Sequence, residues 1–142
     1  MIKLKFELCR LNAKMPTKAT PGSACFDICA ATDYEDILLP GQPLIIPTGL
    51  KVEIPEGYAL IIYSRSGHGF KNGVRLANCV GVIDSDYRKE ILVKLTLDDR
   101  CHYQVKAGER IAQAMLINVP AVELVEGEVS QTDRGGFGST GK

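Results

Sequence analysis

The sequence carries no surplus of charge of either sign: seventeen Lys and Arg balance seventeen Asp and Glu over 142 residues. Without a basic surplus there is no broad positive face of the kind duplex nucleic acid requires. Balance still allows a few arginines and backbone N–H groups to hold a small anion locally. Long apolar runs are missing too. None nears the roughly 20 residues that span a bilayer, so no membrane span is expected. Residues Met1 to Leu8 alternate apolar and charged side chains, which reads as a strand rather than a signal peptide. The five cysteines (Cys9, Cys25, Cys29, Cys79 and Cys101) contain no C-x-x-C pair. Such an odd set argues against a disulfide framework and a zinc site. It suits free thiols in a reducing cytoplasm, or a nucleus in a eukaryote, with Cys25 and Cys29 as small buried hydrophobes. Helical periodicity, internal repeats and low-complexity linkers are nearly absent, so one domain is expected.

What is present has a period of two. Lys51 to Ile54 alternates, Ala59 to Tyr63 is an apolar run of strand length, and Ile91, Val93, Leu95 and Leu97 share one face of another strand. Ile111 to Val119 and Val122 to Val125 are further strand candidates. Turn signals punctuate them at Pro21-Gly22, Pro40-Gly41, Pro55-Glu56-Gly57, Asn72-Gly73 and Ala107-Gly108. Many short strands with Gly/Pro turns predict an all-β fold, an antiparallel barrel or jelly-roll-like single domain over residues 1–131. One short helix is expected after Ser64-Arg65-Ser66-Gly67, reaching Asn72. Residues 132–142 differ in kind: Gly-rich, with Arg134, Phe137, Ser139 and Thr140, they read as an arm that orders over a nucleotide.

Three segments have the composition for phosphate chemistry. Ser64-Arg65-Ser66-Gly67 packs two hydroxyls, a guanidinium and a glycine behind a buried strand, although such a turn is also common on surfaces. Asn78 to Tyr87 ends an apolar stretch in Asp84, and a carboxylate there can serve as a general base toward water; a strand ending in a polar turn is an equally good reading of the spacing. Gln113 interrupts an apolar strand, a pattern that also fits a solvent-facing position.

In order, these segments resemble the five motifs of the trimeric dUTPase family. They are Ala24-Cys25-Phe26-Asp27-Ile28, Ser64 to Gly67, Gly81 to Lys89, Gly108 to Gln113, and the tail from Arg134 to Gly141. The resemblance runs from about Asp27 to the C-terminus. It implies hydrolysis of dUTP to dUMP and pyrophosphate, which clears dUTP and supplies dUMP for thymidylate synthesis. Asp84 would activate the water that attacks the α-phosphorus, with Ser66 and Gln113 as further catalytic groups. Arg65, Ser66 and Gly67 would hold phosphates. Asn78 with the backbone of Gly81, Val82 and Ile83 would read uracil, and Tyr87 would stack beneath deoxyribose. Phe137 would cap the base while Arg134, Gly138, Ser139 and Thr140 clasp the γ-phosphate. Mg2+ would bind through substrate phosphates and water, with Asp27 and Gln113 supporting that network and no direct protein ligand. A homotrimer would share each site among its subunits. Four positions depart from the motifs: Cys25, Ser64, Lys89 and a shortened spacing after Arg134. A dCTP deaminase, a bifunctional deaminase–dUTPase, or a non-catalytic oligomeric β-module are the rival expectations.

Overall fold

The computed structural model describes residues 2–98 and 100–136. Among them are eleven strands and one helix: β1 Lys5–Leu8, β2 Phe26–Cys29, β3 Asp36–Leu38, β4 Leu44–Pro47, β5 Leu50–Glu53, β6 Tyr58–Tyr63, α1 Ser66–Asn72, β7 Val74–Leu76, β8 Val80–Ile83, β9 Leu92–Leu97, β10 Tyr103–Val105 and β11 Arg110–Asn118. Every paired strand runs antiparallel. The largest sheet is ordered β2-β11-β6-β8, a second is β4-β9-β7, and two-stranded pairs β1-β5 and β3-β10 complete the all-β, jelly-roll-like body.

Sequence pattern explains the layers. In β9 the alternation holds: Ile91 just before it, then Val93, Leu95 and Leu97, are at most 2% exposed, whereas Leu92 is 54% exposed on the opposite face. β6 lies between β11 and β8, and its continuous run Ala59, Leu60, Ile61 and Ile62 is buried throughout. These strands join Ile28, Leu38, Ile46, Leu50, Val74, Leu76 and Val105 in one core cluster. The β4–β5 turn is locked from inside. Thr48 Oγ1 donates to Ile91 O at 2.6 Å and accepts from Leu50 N at 3.2 Å. Gly49 then turns with φ +67°, and a Cβ built there would lie 2.5 Å from that of Ala13.

Helix α1 ends as Asn72-Gly73 predicts, with Gly73 at φ +67° returning its N–H to the last turn. Two expectations are corrected. Val122 to Val125 forms no strand; Val122, Leu124 and Val125 are 75%, 92% and 77% exposed, because no strand among the described residues pairs with them to complete a ladder. Cys25 and Cys29 are half-buried rather than buried, since Cys25 precedes and Cys29 ends β2, an edge strand, while Cys9, Cys79 and Cys101 are exposed; all five are free. The regular body ends at Asn118, and residues 119–136 are exposed without secondary structure.

Candidate active site

The open end of the β2-β11-β6 sheet gathers the polar residues. Gln113 is the register partner of Asp27 on β2 and of Tyr63 on β6, which sets those three side chains on one face. Arg65, two residues past Tyr63, continues that face. Arg110 lies three positions before Gln113 and would point the other way in a regular strand. A bulge between Arg110 and Ala112 absorbs one residue and restores Arg110 to the shared side.

The result is a closed cluster of charge. Asp27 Oδ1 accepts from Arg65 Nε at 2.8 Å and Oδ2 from Arg110 Nη1 at 3.1 Å. Arg65 Nη1 also donates to the carbonyl of Arg110 at 3.1 Å. Two guanidinium groups against one carboxylate leave a net positive cradle, with unspent N–H donors on both arginines. Gln113 Nε2 donates to Ser64 O at 2.9 Å, which leaves its amide oxygen to accept. Ser64 Oγ accepts from Leu76 N at 2.9 Å, so the serine contributes a bond that proline could not. Asp27, Arg65, Arg110 and Gln113 line a depression of about 330 Å³, and Ser64, Arg65, Ser66 and Gln113 line an adjoining one of about 370 Å³.

A partly buried layer backs this cradle. His68 accepts from Asn72 and meets the Arg110 carbonyl at 2.8 Å. Glu109 Oε1 takes the Tyr103 hydroxyl, and Oε2 takes Lys106 N at 3.0 Å. Burial, reinforced by the neighbouring Glu109 carboxylate, pushes the Tyr103 phenol up to about 12.

The second group of residues follows the turn that joins β7, in the β4-β9-β7 sheet, to β8, at the edge of the largest sheet. Asn78 and Cys79 form that turn, where Cys79 takes φ +63° and Val80 N bonds Asn78 O at 2.7 Å. Asn78 Nδ2 donates to Val80 O at 3.2 Å. Asn78, Gly81, Val82 and Ile83 line a narrow pocket of about 150 Å³, in which a Cβ on Gly81 would meet Ile62 Cβ at 3.2 Å. β8 delivers Asp84 at its end. Tyr87 N then bonds Asp84 O at 3.2 Å, and Tyr87 Oη donates to Glu90 O at 2.9 Å, fixing a ring that stays 36% exposed.

Asp84 and the cradle do not meet within one chain. Val80 pairs with Tyr63 and Ile83 with Leu60, so Asp84 lies beside the start of β6 while Arg65 follows its end. Six residue steps of extended chain, from Ala59 to Arg65, separate them by roughly 20 Å. Asp27, Arg65, Ser66, Gly67 and Gln113 come together; Asn78 to Ile83 run back along β6 from Tyr63, and Asp84 and Tyr87 lie at its far end. Arg134 is exposed beyond the body, and the predicted Phe137, Gly138, Ser139 and Thr140 lie outside the described residues. Sequence reasoning missed Arg110, His68, Glu109 and Tyr103 as parts of the site. Arg110 stood inside a quoted motif, but its partner Asp27 is 83 positions away.

Fold and site together define an all-β protein with a strand-built cradle for a small anion and a narrow pocket beside β8. The family model described as dUTPase matches residues 11–141, and the chain belongs to the dUTPase family. The match begins earlier in the chain than the motifs alone suggest. Deoxyuridine 5'-triphosphate nucleotidohydrolase of Finegoldia magna is 43% identical over 133 residues, covering 92% of this chain and 93% of the relative. That of Desulfitobacterium hafniense is 44% identical over 146 residues, covering 99% and 97%. Among solved structures, a variant dUTPase of Staphylococcus bacteriophage 80alpha with dUpNHpp superposes with a TM-score of 0.85 at 27% identity, covering 99% of each chain. A dUTPase from phage phi11 of S. aureus, which coordinates a structural Mg(II) ion, gives 0.79 at 25% identity, covering 90% of this chain and 98% of that one. Neither a deaminase nor a non-catalytic module is favoured by these likenesses.

Proposed function

We propose that this chain hydrolyses dUTP to dUMP and pyrophosphate in sites shared between subunits of a homotrimer. The supporting observation is the split just described: an Asp27–Arg65–Arg110–Gln113 cradle suited to polyphosphate, and Asp84 with Tyr87 at the other end of β6, roughly 20 Å away. One small nucleotide reaches both only if the cradle of one subunit faces Asp84 of another. The arm, residues 132–142, closes the site from a third chain, with Arg134 on the γ-phosphate and Phe137 over the base.

In this arrangement Asp84 accepts a proton from water as the water oxygen bonds to the α-phosphorus. The bond to the bridging oxygen breaks, and pyrophosphate leaves against Arg65, Ser66 and Gly67. Chemistry of this kind depends on positioning and neutralising charge. One well-placed donor is worth about 2.7–4 kcal/mol of barrier. Tyr87 packs beneath the deoxyribose, and the Asn78–Ile83 pocket is too narrow for a thymine methyl. Mg2+ fits as a substrate-borne ion. Both oxygens of Asp27 already take guanidinium donors, so the carboxylate orders the phosphates rather than capturing metal, and Gln113 offers its amide oxygen to the hydrated ion. When bound, the ion neutralises phosphate charge. Five free thiols suit a reducing cytoplasm.

Product analysis over a nucleotide panel tests this. Pyrophosphate is expected from dUTP but not from UTP, dTTP or dCTP, and no ammonia from dCTP. Asp84→Asn is expected to lower turnover at least 10³-fold, above the loss of a single donor, while still binding dUpNHpp. Turnover retained by that variant would remove Asp84 as the base.

A further inference from the structure

Among the buried described residues, His68 is the one titratable side chain, 7% exposed, and the reaction as proposed leaves it unused. We infer that His68 is a positioning residue for dUTP hydrolysis: it anchors the carbonyl of Arg110 and so fixes how Arg65 and Arg110 face the phosphates. The inference rests on the dUTPase reading of the site.

The bonding around the ring is determined by donor chemistry. A carbonyl can only accept, so the 2.8 Å contact to Arg110 O requires a hydrogen on Nε2. Asn72 Nδ2 lies 3.3 Å from Nδ1 and donates to it, so Nδ1 carries the lone pair. The ring thereby presents Nε2–H to the Arg110 carbonyl and Nδ1 to Asn72. Its remaining sides are walled. Tyr103 stands edge-on with ring centroids 5.7 Å apart, and Glu109 Oε1 approaches Nε2 to 3.6 Å while itself held by the Tyr103 hydroxyl. The imidazole therefore has one orientation.

What it anchors matters to the cradle. Arg110 O sits beside the β11 bulge and takes two side-chain donors, His68 Nε2 and Arg65 Nη1 at 3.1 Å. His68 lies on α1, three residues beyond Arg65, so its bond ties the turn that presents Arg65, Ser66 and Gly67 to the strand that presents Arg110 and Gln113. A side chain that only filled the space would leave that tie to Arg65 alone. A guanidinium with freedom to shift by about 1 Å loses roughly 100-fold in rate.

The test compares wild type, His68→Leu and His68→Gln. Leucine fills the cavity without a donor, whereas the glutamine amide nitrogen reaches the Nε2 position and donates. His68→Leu is expected to lose about 10- to 100-fold in kcat/KM for dUTP, with circular dichroism unchanged, and His68→Gln to recover most of it. A fully active leucine variant overturns the inference, as does a glutamine variant impaired as badly as leucine. Should the leucine variant not fold, 15N ring shifts of wild-type His68 decide: the Nε2–H form supports the tie and the Nδ1–H form refutes it. Wild type that releases no pyrophosphate from dUTP would refute the activity, while the ring tautomer and inorganic triphosphate binding to the same variants would still report on His68.

Discussion

Replacing Asp27 by Asn removes one charge from the cradle with almost no change of shape, and its cost can be worked from the geometry. The carboxylate side chain is 12% exposed and serves two arginines at once. An amide has one oxygen and one NH2, so in either orientation it turns donors toward Arg65 Nε or Arg110 Nη1. The Arg65 leg is partly buried, at 22% side-chain exposure, and a charge-assisted bond in that setting contributes about 1.5–3 kcal/mol. The Arg110 leg reaches a guanidinium 54% exposed, where solvent screening limits it to about 0.2–1 kcal/mol. The sum is a loss of about 2–4 kcal/mol, most of it from Arg65. Urea melts of wild type and Asp27→Asn at one protein concentration would measure it, since assembly makes the midpoint concentration-dependent. Arg65→Lys is the companion variant. It keeps the charge but cannot reach both Asp27 and the Arg110 carbonyl, so it should forfeit most of the same stability. A loss below about 0.5 kcal/mol in Asp27→Asn, the range of ordinary surface changes, would refute the reasoning.

Alkaline pH probes the layer behind the cradle. The folded Tyr103 phenol is raised from 10.0 to about 12, so the native state holds this proton more tightly. Its contribution is fully present below pH 10 and lost as pH climbs from 10 toward 12. Wild type should therefore lose stability relative to Tyr103→Phe across that window, and parallel pH–stability curves would contradict it. Gly49→Ala should be the most damaging conservative change in the β4–β5 turn. It forces a side chain into φ +67° and a Cβ 2.5 Å from Ala13, for about 2–5 kcal/mol, read as a shift in urea midpoint.

Elements with a one-sided burial pattern were legible before any coordinates. The alternation through Ile91, Val93, Leu95 and Leu97 and the apolar run of β6 each mapped onto a buried strand, and Asn72-Gly73 marked the end of α1. The three-residue strands β3, β7 and β10 were not individually legible, because so few residues cannot display a period. Val122 to Val125 failed for another reason. Its apolar spacing is genuine, but a ladder needs a neighbour, and spacing says nothing about which chain supplies one. In the site, ordered motifs identified Asp27, Arg65 and Gln113, whose side chains the register does bring together. Arg110 depended on a bulge that shifts facing by one residue, a feature of pairing rather than of local composition. His68 stayed hidden because its chemistry comes from a carbonyl 42 positions away.

The length of β6 has a genetic consequence. If the Asp84 segment and the phosphate cradle of each working site belong to different polypeptides, then two defective alleles, one damaged at Asp84 and one at Arg65, injure opposite halves. In a mixed assembly some contacts would unite two intact halves and others two broken ones. Co-expressed, the pair would complement each other, although neither has activity alone.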